Sequence, residues 1–273
     1  MYLIKYSPCV NFICRGDYRD LCNTHHQNEG RTLTELLLLN ERVSVALDGM
    51  DMSQIEMFLL QIGVRSFYSL KVHDLWDRNG MQTVSMLERA ARGHVRVWAD
   101  LKLSDTPKTM EFRAKAVREA RAHSLTIHAS AGVDSIKAAL DNGPAEVIAV
   151  TVLTSISPPA CMEMYGRSCS EQVQYLADLA VKEGICSLVC SGDEVGALRE
   201  KFPNVNLIVP GVRMPGSSLR GQNRITTPWD AFKLGASRIV LGSDVTKAKN
   251  PVVAFAEVMS ETKTQLNGGK EVP

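Results

Sequence analysis

The chain has 273 residues, 45% hydrophobic and 22% charged, which is typical of globular proteins and excludes a disordered chain. Its 31 lysines and arginines balance 30 acidic residues, and this argues against a protein that binds nucleic acid through a strong basic field. No apolar run approaches the roughly 20 residues that cross a bilayer, and no stretch has the long core of a secretory signal. Seven cysteines, an odd number, favour the reducing cytoplasm over a disulfide framework.

Residues 1–40 differ in pattern from the rest of the chain. They carry three cysteines and a histidine pair but show no clear hydrophobic periodicity. The spacing Cys-x4-Cys-x7-Cys-x2-His does not match a zinc finger, so we expect no metal site there. We interpret this segment as a loosely ordered N-terminal extension.

From residue 43 onward, short β-branched apolar runs alternate with longer amphipathic stretches. The predicted strands are Val43–Leu47, Ser66–Val72, Val95–Leu101, Leu125–His128, Val147–Val152, Ser187–Cys190, Leu207–Val209 and Arg238–Leu241. Eight such units in about 230 residues predict a single-domain α/β protein with a (β/α)8 TIM-barrel fold. An open doubly wound sheet is the alternative, but no Gly-x-Gly-x-x-Gly follows the first strand. We expect the barrel to span residues 41–262 and the tail, 263–273, to fray.

Two helix starts are indicated by local signals. Ser53 and Glu56 have the spacing of a capping box that would begin a helix over Gln54–Ile62. Pro107 stands where the first residue of a helix is expected after the third strand.

Charged residues cluster at the predicted strand ends. Asp100 and Lys102 interrupt the apolar third strand two residues apart, so their side chains should point to the same side. Lys71 ends the neighbouring strand, and Asp105 follows on the adjoining loop, giving an array that alternates in sign. A structural network of salt bridges is the alternative, but with Asp48 as a fifth polar group we favour a catalytic site at the C-terminal ends of the strands.

The segment Asp100-x-Lys102-x-x-Asp105 resembles the signature of the orotidine 5′-monophosphate decarboxylase superfamily. Other motifs that resemble this family follow in order: Val45-Ala46-Leu47-Asp48, Lys71-Val72, Asp105-Thr106-Pro107-Lys108-Thr109, Val150-Thr151-Val152-Leu153-Thr154-Ser155, Pro210-Gly211-Val212-Arg213 and Gly221-Gln222-x-Arg224-x-x-Thr227-Pro228. The resemblance covers roughly residues 43–260 and supports the barrel.

The resemblance implies decarboxylation of orotidine 5′-monophosphate to UMP in de novo pyrimidine biosynthesis, without a metal or an organic cofactor. Asp100 would lie beside the carboxylate of the substrate, and Lys102 would stabilise and protonate the C6 carbanion. Asp48 and Lys71 would hold ribose hydroxyls and complete the charge array.

The resemblance also implies a homodimer, in which Asp105 and Thr109 reach the partner's site. The remaining substrate-binding residues that it implies contact the pyrimidine or the phosphate: Thr154, Ser155, Arg213, Gln222, Gly242 and Ser243.

One departure from the family pattern concerns phosphate binding. The family usually ends its eighth strand with Gly-Arg, whereas this chain has Gly242-Ser243 followed by Asp244, so a charge-assisted phosphate contact is missing. The candidates to replace the lost cation are Lys247, Lys249 and Arg220.

Three hypotheses follow, and we favour an orotidine 5′-monophosphate decarboxylase with a rewired phosphate site. The second is a divergent relative that decarboxylates an unphosphorylated or modified nucleoside or nucleotide in a specialised pathway. The third is an inactive nucleotide-binding barrel, which the complete Asp-Lys-Asp set disfavours.

Overall fold

The computed structural model describes residues 39–215 and 226–268 and contains a closed barrel of eight parallel strands. Each strand pairs with the next in the sequence, and the last pairs with the first, with Val43 opposite Ile239. The strands are β1 (Val43–Ala46), β2 (Ser69–Val72), β3 (Val97–Leu103), β4 (Ser124–His128), β5 (Glu146–Val150), β6 (Ser187–Val189), β7 (Asn206–Val209) and β8 (Arg238–Leu241). The predicted (β/α)8 TIM barrel is therefore confirmed.

Helices surround the barrel and connect its strands. They are α1 (Met52–Ile62), α2 (Asp74–Asn79), α3 (Thr83–Ala90), α4 (Pro107–Glu119), α5 (Val133–Asn142), α6 (Pro158–Tyr165), α7 (Cys169–Lys182), α8 (Gly192–Lys201), α9 (Pro228–Lys233), α10 (Ser243–Thr246) and α11 (Pro251–Leu266). The last helix runs beyond the boundary predicted at residue 262, while residues 1–38 and 269–273 lie outside the described residues. Within the described ranges, no helix is long and apolar enough to cross a membrane.

The predicted strands all occur, but several of their bounds differ. The fifth strand was predicted to reach Val152, whereas β5 ends at Val150. Val152 is nonetheless 2% exposed, because the loop above the barrel is itself packed. The apolar, β-branched sequence of this segment therefore indicates that it is buried, not that it pairs with a neighbouring strand. The end of a strand is set by its backbone pairing, which here ends at Val150.

The start of α1 differs from its prediction. Asp51, not Ser53, caps the helix: its Oδ1 accepts a hydrogen bond from Gln54 N at 2.8 Å, and Gln54 Oε1 accepts one from Asp51 N at 3.0 Å. Ser53 lies inside the first turn, so its predicted pairing with Glu56 is wrong. Asp51 and Gln54 form a capping box that begins two residues earlier than the predicted one.

Strand β3 is irregular where its charged residues lie. Ala99 pairs with Leu125 and Leu103 with Ile127, so β3 advances four residues while β4 advances two. Within this bulge Lys102 has a φ of 47°, in the left-handed region. The simple alternation assumed from the sequence is therefore interrupted, and the bulge determines where the side chain of Lys102 points.

An ionic network closes the end of the barrel formed by the first residues of the strands. Glu146 Oε1 lies 2.7 Å from Arg238 Nη2, and Ser124 and Ser187 donate hydrogen bonds to the same carboxylate at 2.7 and 2.8 Å. The Arg238 guanidinium also lies 4.1 Å from the ring centroid of Tyr68. These buried charges satisfy one another, and we assign them a structural role.

Candidate active site

A cavity of about 350 Å³ opens at the C-terminal ends of the strands, where barrel enzymes place their chemistry. Apolar residues that fill the barrel interior form its floor: Ala46, Trp98, Val150, Val189 and Val240. Its polar lining includes eight of the residues predicted from the sequence: Asp48, Lys71, Asp100, Lys102, Thr154, Arg213, Gly242 and Ser243.

Four charged side chains from β1, β2 and β3 form a continuous array in this cavity. Lys71 Nζ lies 2.9 Å from both Asp48 Oδ2 and Asp100 Oδ2. Lys102 Nζ lies 2.7 Å from Asp100 Oδ2. The side chains of Asp100 and Lys71 are 7% and 11% exposed, against 36% for Lys102. Lys71 and Asp100 therefore form the buried part of the array, and the Lys102 ammonium faces the cavity.

The buried members of the array stay charged because they compensate each other. Burial alone would raise the pKa of Asp100, but the ammonium groups of Lys71 and Lys102 lower it below its ordinary value. Burial alone would lower the pKa of Lys71, but the carboxylates of Asp100 and Asp48 raise it. Both residues are ionised at neutral pH.

His128, at the end of β4, carries no charge at neutral pH. Burial lowers its pKa first, and the positive charge of Lys102 lowers it further, with Asp100 opposing. An uncharged imidazole adds no third cation to Lys71 and Lys102.

Three predicted site residues lie away from the cavity of their own chain. Asp105 is half-buried on the loop after β3, where its Oδ1 accepts a hydrogen bond from Thr106 N at 2.8 Å, and no ion pair joins it to Lys71 or Lys102. Thr109 Oγ1 accepts a hydrogen bond from the Thr106 hydroxyl at 3.2 Å. Ser155 is exposed outside the lining. A fourth predicted residue, Gln222, lies outside the described residues.

Another part of the cavity wall is formed by the segments that follow β7 and β8. Here Arg213 Nε lies 3.5 Å from Asp244 Oδ2, and Arg213 Nη1 donates a hydrogen bond to Val212 O at 3.1 Å. Ser243 begins the short helix α10, and Lys247 follows that helix at the rim of the cavity.

Trp98 forms part of the floor of the cavity, although it is not among the site residues predicted from the sequence. Its Nε1 donates a hydrogen bond to Thr126 Oγ1 at 2.6 Å, which satisfies the only polar group of a side chain that is 2% exposed. The two-residue spacing between Trp98 and Asp100 was a usable signal, because residues two apart in a strand share a face.

Comparisons with known proteins agree with this geometry. The model of the orotidine 5′-phosphate decarboxylase / HUMPS family matches residues 41–258. The chain is 34% identical over 235 residues to an orotidine 5′-phosphate decarboxylase from Prochlorococcus marinus, covering 81% of this chain and 96% of the relative. It is 36% identical over 224 residues to the orotidine 5′-phosphate decarboxylase from Thermobifida fusca, covering 80% and 94% respectively.

A solved structure gives the same result. The crystal structure of orotidine 5′-phosphate decarboxylase from Lactobacillus acidophilus matches with a TM-score of 0.66 and 29% sequence identity, covering 83% of this chain and 99% of that one. Fold, array and sequence similarity agree over the same residues. The chain therefore belongs to the orotidine 5′-phosphate decarboxylase / HUMPS family, as a carboxy-lyase.

Proposed function

We propose that this enzyme decarboxylates orotidine 5′-monophosphate to UMP, a step of de novo pyrimidine biosynthesis, and needs no cofactor. The observation that carries the proposal is the Lys102 ammonium, paired at 2.7 Å with a buried carboxylate and facing the cavity. The relatives named as orotidine 5′-phosphate decarboxylases support the choice of substrate.

In the proposed mechanism, Lys102 acts at the reacting carbon. The bond between C6 and the carboxylate breaks, carbon dioxide leaves, and the electron pair remains on C6. The adjacent ammonium stabilises that carbanion because its charge is already in place, and it then donates the proton that replaces carbon dioxide. Solvent returns the proton to the Lys102 amine.

The other members of the array would prepare this step. Asp100 holds the Lys102 ammonium in place and lies where the carboxylate of the substrate would arrive, so like-charge repulsion is relieved as carbon dioxide departs. Lys71 keeps Asp100 ionised. Asp48, whose side chain is 51% exposed, is free to accept hydrogen bonds from ribose hydroxyls.

The proposal includes a homodimer that completes each site with residues of the partner. Asp105 and Thr109 lie outside the cavity of their own chain, near the start of α4. The same helix carries Phe112, which is 58% exposed and therefore suited to an apolar contact. We place the enzyme in the cytoplasm, because the odd number of cysteines in the chain suits a reducing compartment better than a disulfide framework.

The test is steady-state decarboxylation of orotidine 5′-monophosphate and of unphosphorylated orotidine by the purified protein. We expect turnover of the nucleotide and a loss of about 10⁴-fold or more in Lys102→Ala, because both the charge and the proton donor are removed. Lys233→Ala is the matched control, since Lys233 is exposed at the end of α9, away from the cavity. Equal activity in Lys102→Ala, or no turnover of either compound by the wild type, would refute the proposal.

A second candidate function is decarboxylation of an unphosphorylated or modified nucleoside. It is favoured by the Arg213–Asp244 ion pair, in which a cation at the far side of the cavity is already neutralised. Turnover of orotidine at least as efficient as that of the nucleotide would support this candidate instead.

A further inference from the structure

The carboxylate of Asp244 pairs with Arg213, which lines the cavity. We propose that Asp244 is a specificity-determining residue: by neutralising Arg213, it lowers the preference of the cavity for a nucleotide over the corresponding nucleoside. The inference rests on the proposed function for the class of ligand, a pyrimidine ribonucleoside or its 5′-phosphate.

The geometry of the ion pair supports this role. The side chain of Arg213 is 7% exposed and that of Asp244 is 17% exposed, so solvent screens their attraction little. Arg213 Nε and Asp244 Oδ2 are both buried, and neither has a hydrogen-bond partner among the described residues. Their separation of 3.5 Å makes the contact mainly Coulombic rather than a good hydrogen bond.

The position of Arg213 places the ion pair near the end of a bound ligand that is farthest from its reacting carbon. In the closed barrel, β7 and β8 lie across from β3, which carries Lys102. Arg213 and Lys102 both line the cavity, so a ligand whose reacting carbon lies at Lys102 extends towards Arg213. A terminal group on that ligand therefore meets Arg213, whose charge is offset by Asp244 beside it.

Charge decides which terminal group is preferred there. An arginine alone binds a phosphate strongly, often through two parallel hydrogen bonds. With Asp244 beside it, the pair has no net charge, and an incoming phosphate dianion is repelled by the carboxylate. An uncharged hydroxymethyl group suffers no such repulsion.

Among the described residues that line the cavity, Lys247 is the other cation near Arg213. It is exposed, and it forms no ion pair within residues 39–215 and 226–268. Together, Arg213, Asp244 and Lys247 carry a net charge of +1, which would become +2 without the carboxylate. Removing the charge of Asp244 should therefore strengthen phosphate binding selectively.

The test compares the binding of UMP and uridine by calorimetry in the wild type and in Asp244→Asn. The variant keeps the size of the side chain and removes its charge, so we expect the affinity ratio of UMP to uridine to rise about tenfold, or ~1.4 kcal/mol. The affinity for uridine itself should stay unchanged. Asp178→Asn, which removes an exposed carboxylate on α7, is the control for net charge.

Two further variants keep the test decisive. Asp244→Ser replaces Asp244→Asn if the latter does not fold, and it should raise the ratio in the same direction. In the double variant Asp244→Asn/Arg213→Gln the gain should disappear, because the released cation is gone. An unchanged or lower ratio in the single variants, or a gain that survives in the double variant, would overturn the inference.

The binding measurements test this inference, whereas turnover tests the proposed function, so the two can fail separately. If the predicted ratios are found in a protein that does not decarboxylate orotidine 5′-monophosphate, only the proposed function fails. If the protein decarboxylates the nucleotide but the ratio does not respond to Asp244→Asn, only the inference fails. If neither UMP nor uridine binds, the inference is refuted, and the turnover assay alone decides the proposed function.

Discussion

Two ammonium groups share one oxygen of Asp100 at the floor of the cavity. Lys71 Nζ and Lys102 Nζ lie 2.9 and 2.7 Å from Asp100 Oδ2. Because the side chain of Asp100 is only 7% exposed, each lysine offsets part of the cost of burying that carboxylate. The sequence predicted that these residues would meet. It did not predict that Lys71 would be the more buried of the two lysines.

The buried pair at the other end of the barrel leads to a prediction about stability. Glu146→Gln should lower the free energy of unfolding by about 3 kcal/mol at pH 7, because Arg238, 6% exposed, would keep its charge without a counter-ion. The measurement is urea unfolding of both proteins. Glu119→Gln is the control, since the side chain of Glu119 is 55% exposed and should contribute little.

The pH dependence of that difference follows from the pKa of Glu146. Burial would raise this pKa, but Arg238 and the hydrogen bonds from Ser124 and Ser187 lower it below the ordinary value of 4.5. The carboxylate therefore contributes stability above about pH 4.5, and this contribution is lost as the pH falls through the lowered pKa. A difference between wild type and Glu146→Gln that did not shrink in acid would contradict this assignment.

At the scale of single elements, the cap of α1 can be tested directly. Asp51→Ala should lower the free energy of unfolding by about 1 kcal/mol, because the backbone N–H of Gln54 loses its acceptor. Ser53→Ala should leave stability unchanged or raise it slightly, since alanine is the better residue within a helix. Thermal or urea unfolding measures the stability of both variants. A larger loss of stability in Ser53→Ala than in Asp51→Ala would instead support Ser53 as the capping residue.

Strand β3 shows where local patterns stop being informative. Its apolar character and its two charges were readable from the sequence, and they led to the correct position in the barrel. The bulge was not readable, because it depends on pairing with β4. A residue in the left-handed region within a strand, here Lys102 with a φ of 47°, is held by the surrounding structure rather than by its own preference.

For the whole molecule, the proposed exchange of residues across a dimer can be tested by mixing inactive variants. Lys102→Ala and Asp105→Ala should each be nearly inactive alone. If Asp105 serves the partner's site, each mixed dimer has one intact site, and random exchange should restore roughly a quarter of wild-type activity. The measurement is decarboxylation after the two variants have been unfolded and refolded together.

A matched mixture serves as the control for that experiment. Lys102 and Asp100 are joined within one chain, so Lys102→Ala mixed with Asp100→Ala yields no intact site in any dimer. Recovery only in the mixture that contains Asp105→Ala would support the shared site. Equal activity in both mixtures would mean that Asp105 acts within its own chain.

Local patterns in the amino-acid sequence were enough to predict the barrel, the order of its strands and most of the charged residues that meet at their ends. Alternating strand and helix patterns have few compact solutions, and parallel strands bring their C-terminal ends to one side. Burial of Asp100 was therefore foreseeable from a charge placed within an apolar strand.

Which charges neutralise each other became clear from the three-dimensional arrangement of the chain. The Glu146–Arg238 and Arg213–Asp244 pairs join residues 92 and 31 positions apart in the chain, and nothing local to either residue indicates its partner. Asp105, by contrast, was expected in the array from its spacing to Lys102, but it lies outside the cavity of its own chain. The physical reason is that Coulomb attraction and burial depend on distances in space, which closure of the barrel sets, and not on separation along the chain.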